Sequence, residues 1–172
     1  MSPQDVPPKP DRPAARRDDP RRDTRRRARA AARLHAVQAL FQMEASAQGA
    51  DAVIREFEAH RIGTDHEGEQ LAEADIDLFR RLTGDAVTHQ ARIDQMTDRA
   101  LVEKWPIARI DPTLRALFRA AGAELIDTAT PPRVVIAEFV EVARAFFPEG
   151  REAAFVNGVL DHMAHEAHPD GF

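Results

Sequence analysis

Five arginines near the N-terminus, Arg25, Arg26, Arg27, Arg29 and Arg33, form the cluster with the clearest chemical meaning. On a helix, positions 25, 26, 29 and 33 follow i, i+1, i+4 and i+8 spacing, so four guanidinium groups share one side and can track a phosphate backbone. Arginine suits that task better than lysine, because its planar fork grips phosphate at two points and stacks on bases. Of the 24 basic residues, 22 are arginine, which favours this use. Each neutralised phosphate releases counterions, so binding through the cluster is expected to depend strongly on salt. The bland alternative is a solvated charged tail that serves solubility alone.

Phe155 with Asn157 offers a stacking ring and an amide, the pair by which a splayed single-stranded base is read. Packing in the core is the competing use of Phe155. Trp105, followed by Pro106, reads as a hydrophobic anchor that closes a third helix onto a fourth. His162 and His165 stand i, i+3 with Glu166 and His168 nearby, a weak metal-ligand pattern. A solvated helix end, where histidines suit the dipole, is the preferred reading, so no metal and no cofactor are expected. The absence of cysteine excludes disulfides and thiolate zinc sites. With no glycine-rich phosphate loop and no nucleophile elbow, a binding protein without catalysis is expected.

The elements that must position these residues read as helices throughout. Six of the twelve prolines lie in the first twenty residues, among Asp, Arg and Ala, so residues 1–22 are expected to form a disordered tail that cannot offset its ordering entropy. Residues 23–168 should then form the helical domain. From Pro20 to Pro106 there is no proline, and Ala, Leu, Arg, Glu and Gln dominate. A first helix is expected from Asp23 or Thr24 to about position 47, with Leu34, Val37, Leu40 and Phe41 inward. A second, residues 51–60, buries Val53, Ile54 and Phe57, and an acidic loop occupies residues 63–68.

A third and long helix, residues 73–101, carries Ile76, Phe79, Leu82, Ala86, Ile93 and Met96 on one stripe, with a bend expected at Gly84. Asp111 before Pro112 and Thr130 before Pro131 each pair a capping side chain with a proline at the first helical position. The last segment holds Asn157-Gly158, a hairpin signal. No partner strand exists, so a helix over residues 151–167 is the better reading. Gly158 inside it costs about 1 kcal/mol relative to alanine, which implies close approach of a backbone or a ligand there.

The chain has 172 residues and 43% hydrophobic content, enough for one core, and lacks the roughly 18 apolar residues of a membrane span. A soluble cytoplasmic protein is expected, with no membrane partner. Its net charge of −5 hides a division: residues 1–33 hold eleven basic side chains against five aspartates, which leaves −11 on the rest. Such a basic arm suits a polyanion, and such an acidic body suits a basic partner.

Four segments together resemble the NusB family of transcription antitermination proteins. They are Ala32-Arg33-Leu34-His35-Ala36-Val37-Gln38-Ala39-Leu40-Phe41; Trp105-Pro106-Ile107-Ala108-Arg109-Ile110 with Leu117-Phe118-Arg119 and Glu124-Leu125; Pro132-Arg133-Val134-Val135-Ile136-Ala137-Glu138-Phe139-Val140-Glu141-Val142-Ala143; and Phe155-Val156-Asn157-Gly158-Val159-Leu160-Asp161. They occur in the family's order over residues 25–162. The resemblance implies an all-α fold of two packed helical bundles in one compact domain. It also implies binding to the single-stranded boxA element of nascent ribosomal RNA, a heterodimer with the ribosomal protein NusE, and loading onto RNA polymerase to suppress termination.

Carried over by residue, the arginine arm with Arg33 would grip RNA, Phe155 and Asn157 would lie on the RNA face, and Glu124 would face NusE. The chain departs from the family pattern at Ala30 and Ala31, where arginines usually stand, and at Leu114, Ala137 and Ala154. A homodimer through the NusE face is left open. The competing function is a helical RNA-binding accessory domain related to ribosomal RNA cytosine methyltransferases, without catalysis of its own.

Overall fold

A computed structural model of the chain describes residues 19–62, 74–102 and 105–172, so the acidic loop expected at 63–68 and residues 1–18 of the expected tail lie outside the described residues. Asp19 caps the first helix by accepting from the Arg21 N–H at 3.0 Å, and Pro20 takes the first helical position. Helix α1 (Pro20–Ser46) therefore starts earlier than the expected Asp23 or Thr24 and draws residues 20–22 out of the expected tail. Helix α2 (Ala50–His60) follows, and α3 (Ile76–Thr88) is capped by Asp75, which accepts from Leu78 N–H at 3.0 Å.

The single long third helix is not observed. Gly84 sits inside an unbroken α3, and the break falls at His89, after which α4 (Gln90–Ala100) continues. The β-branched pair Val87 and Thr88 weakens the helix just before the break. The bend lets Phe79 and Leu82 pack toward α1 and α2 while Ile93 and Met96 pack toward the C-terminal half. A 3₁₀ turn (Ile107–Arg109) leads to α5 (Pro112–Ile126), α6 (Pro132–Phe146) and α7 (Glu152–Ala167). Asp111 caps α5 as expected, accepting from Thr113 N–H at 2.7 Å. All regular structure among the described residues is helical, and Asn157-Gly158 lies within α7.

Two bundles, α1–α3 and α4–α7, share α5. That helix packs on α1, α3, α4, α6 and α7, and these five contact one another in the ring α1, α6, α7, α4, α3. This explains why α5 is buried on nearly every side, from Leu114 to Leu125, as a helix apolar all round must be. α2 closes the outside of α1 and α3. No described helix is long and apolar enough to cross a membrane.

Close packing around α5 depends on one glycine. A Cβ added at Gly122 would meet Ile93 Cγ2 at 2.4 Å and Met163 Cε at 3.3 Å, where α4 and α7 approach. Ile93 is β-branched and cannot swing aside, so Gly122→Ala is expected to lose about 1–3 kcal/mol of stability by overpacking. A Cβ at Gly84 meets nothing within 4 Å, so Gly84→Ala is expected to gain up to about 1 kcal/mol from helix propensity. Urea denaturation of the two variants should shift the midpoint in opposite directions.

Three inward assignments need correction. Phe41 and Ile76 are partly exposed at the rims of their helices. Trp105 is 60% exposed and closes nothing. The junction is held by polar groups instead: Asp98 Oδ1 accepts from Ile107 N–H at 2.7 Å, and Arg115 Nη1 donates to the Ile107 carbonyl at 2.9 Å.

His35 on α1 sits edge-on to Phe57 of α2, with ring centroids 6.3 Å apart, and the Arg61 guanidinium covers the same phenyl ring at 4.8 Å. Burial pushes the imidazole pKa below its ordinary 6.5; the Gln38 hydrogen bond opposes this shift and the Arg61 charge adds to it. The unfolded chain therefore takes up this proton first, and His35 contributes stability that is present above 6.5 and lost as the pH falls below it. Wild type is expected to lose stability as the pH falls below 6.5, and His35→Gln should flatten that part of the profile.

Candidate nucleic-acid interface

Only part of α1 is embedded. Ala32, Arg33, Ala36, Val37, Ala39 and Leu40 are buried, whereas residues 20–27 stand exposed as an extension of the same helix. Three contacts fix its rotation. Asp75 N–H donates to the Ala28 carbonyl at 3.0 Å, and Arg29 Nη2 donates to Thr130 Oγ1 at 3.3 Å. The strongest is a buried two-point ion pair, with Arg33 Nε and Nη2 donating to the Glu124 carboxylate of α5 at 2.9 and 2.8 Å.

With the helix so held, Arg22, Arg25, Arg26 and Arg29 line one wall of a groove of about 450 Å³. Ala129, Thr130 and Pro131 and the α6 residues Val134 and Glu138 form the other wall, and Arg33 contributes to the lining beside Glu138. Four exposed or half-exposed guanidiniums on one helical stripe create a strong local positive field on a chain of net negative charge. Phosphate esters and the planar faces of bases are the groups such a wall can hold.

The expected site residues divide among three places. Arg25, Arg26 and Arg29 share the groove, whereas Arg27 turns away and pairs with Asp23 at 3.0 Å. Arg33, 2% exposed, and Glu124, 3% exposed, are committed to each other. A direct grip on RNA by Arg33, or a direct partner contact by Glu124, would need that pair to open; in the folded chain both act by positioning α1. Asn157 lies in a second groove between α6 and α7, with Arg133, Ala137 and Asp161.

Phe155, 40% exposed, leans edge-on against Phe118 of α5 with centroids 6.0 Å apart. Two residues of helix separate it from Asn157 by about 200°, so the two side chains do not share a groove. Beside them, Gly158 faces open space: a Cβ there would meet nothing within 4 Å. The close approach expected of it is therefore not made by the chain itself.

Sequence reasoning missed Arg22, Thr130 and Glu138 as groove residues. The signal for Arg22 was present, since 22, 25, 26, 29 and 33 complete a helical stripe once Asp19 and Pro20 are read as a helix start. Thr130 is buried and does not cap α6; its hydroxyl accepts from Arg29, and Pro131 precedes the first helical residue, Pro132. His162 and His165 join no group with metal-ligand geometry among the described residues.

The NusB family model matches residues 30–165. The transcription antitermination protein NusB of Maricaulis maris is 48% identical over 151 residues, covering 87% of this chain and 94% of the relative. That of Caulobacter vibrioides is 51% identical over 140 residues, covering 81% and 93%. A solved structure of the antitermination factors NusB and NusE in complex with double-stranded RNA superposes with a TM-score of 0.64 at 23% identity, covering 80% of this chain and 96% of that one. At that identity the likeness is one of fold.

Proposed function

The chain belongs to the NusB family of transcription antitermination proteins, which are not enzymes, and from that premise we propose that its arginine groove holds single-stranded boxA RNA of nascent ribosomal transcripts. In this reading it binds RNA together with NusE, and the complex is loaded onto RNA polymerase to suppress termination. The observation that supports it best is the convergence of Arg22, Arg25, Arg26 and Arg29 on one groove wall, with Arg33 locked beneath them. A protein of the same fold has been solved with NusE and double-stranded RNA.

Because Glu124 is buried, our reading moves the NusE contact to exposed apolar surface at the other end of α5. Phe41 lines a groove with Val37, Thr113 and Phe146, and Trp105 and Val102 stand exposed in one turn closed by Trp105 N–H donating to the Val102 carbonyl. Exposed aromatics of this kind are typical anchors of protein interfaces. α1 runs antiparallel to α5, since Arg33 meets Glu124 and Glu44 meets Arg115. Arg29 and Phe41 lie about 18 Å apart along α1, twelve residues at 1.5 Å each, so RNA and partner need not compete.

The test is a titration of labelled boxA RNA and a scrambled control with the protein, alone and with NusE, at low and high salt. Preference for boxA that NusE tightens is the expected result. Equal, weak binding to both RNAs, indifferent to NusE, would overturn the reading.

A further inference from the structure

Among the described residues, Glu138 is the one acidic side chain lining the arginine groove. It is not needed to neutralise Arg33, whose charge is already met at two points by Glu124. Its Oε2 lies 3.6 Å from Arg33 Nη1, an ion-pair distance beyond hydrogen-bond range, and its side chain is 19% exposed. A surplus, partly desolvated carboxylate thus stands in a groove otherwise built for a polyanion. It repels phosphate and can only accept hydrogen bonds, so its complement is a group that presents donors.

We propose that Glu138 is a specificity-determining residue that reads the Watson–Crick edge of a guanine in single-stranded RNA; the inference rests on the RNA-binding reading above. Unpaired RNA bases are commonly splayed out and read on that edge. Guanine alone presents two adjacent donors there, N1–H and the N2 amino group, which match the two oxygens of a carboxylate. Adenine and cytosine offer one amino group beside an acceptor, and uracil one N–H between two acceptors. Pro131 and Val134 supply apolar surface for the ring, and Arg25 and Arg29 supply cationic planes to stack on it. The groove then divides into an arginine wall that grips backbone and an opposite wall that selects a base.

The experiment measures binding of boxA-type RNA in which each guanine is replaced in turn by inosine, which lacks the N2 amino group, or by adenine. Wild type, with NusE present, should lose roughly tenfold in affinity at one guanine position on inosine substitution. Glu138→Gln should erase that difference while binding scrambled RNA as tightly as wild type or tighter, because a repulsive charge has gone. A role confined to holding Arg33 would not produce this crossed pattern. Wild type indifferent to inosine at every position, or Glu138→Gln that keeps the full guanine preference, would overturn the inference while leaving boxA binding intact. Loss of all preference for boxA over scrambled RNA in wild type would overturn both.

Discussion

Replacing Arg33 by alanine is expected to cost about 3–5 kcal/mol of folding stability, the largest single-residue effect in the molecule. The change removes one partner of a buried pair and leaves the Glu124 carboxylate, enclosed by α5 and its neighbours, without a counter-charge. Glu124→Ala should cost less, because Glu138, 3.6 Å from Arg33 Nη1, remains as a counter-charge to the guanidinium. The double change Arg33→Met with Glu124→Leu should recover most of the loss, since replacing both charges by apolar groups of comparable volume removes the desolvation cost as well as the attraction. Urea midpoints at constant m-value measure this directly. Single variants that lose less than about 1 kcal/mol would mean that the pair is solvated and does not fix α1.

The second large effect concerns affinity. Changing Arg22, Arg25, Arg26 and Arg29 together to alanine is expected to weaken boxA binding by on the order of a hundredfold or more at low salt. It should also flatten the dependence of log affinity on log salt by up to about 3, at about 0.7 per phosphate contact on a single strand. Stability should change little, since among the described residues the one side-chain hydrogen bond lost is that from Arg29 to Thr130, worth about 1 kcal/mol. Arg27→Ala is the internal control. Arg27 pairs with Asp23 and does not line the groove, so its loss should change affinity by less than about threefold. An Arg27 effect as large as that of the groove arginines would show that the arm acts as undirected charge.

The physics of helices made most of this fold readable in advance. Asp111-Pro112 announced the start of α5 because a capping carboxylate and a fixed φ act locally and leave a local trace. The same device at Asp19-Pro20 went unread, hidden among other prolines, and Arg22 was lost with it. What stayed illegible was the use of charged groups at long range. Arg33 falls one turn before Val37 and so on the buried face, yet nothing nearby names Glu124 as its partner, 91 residues away.

A further error came from reading residue type as environment. Trp105 was expected inside because it is large, but the turn that carries it is fixed by Asp98 and Arg115, which frees the indole. Phe155 and Asn157 were paired for a stacking ring and an amide, and α7 turns the two side chains to different parts of its surface.

The most direct test of the central claim is to map where the RNA lies. BoxA RNA carrying 4-thiouridine, crosslinked to the complex with NusE, should yield peptides from the N-terminal half of α1 and from residues 127–138, the two walls of the groove. Crosslinks confined to α4 and the turn around Trp105, with none on α1, would contradict the account.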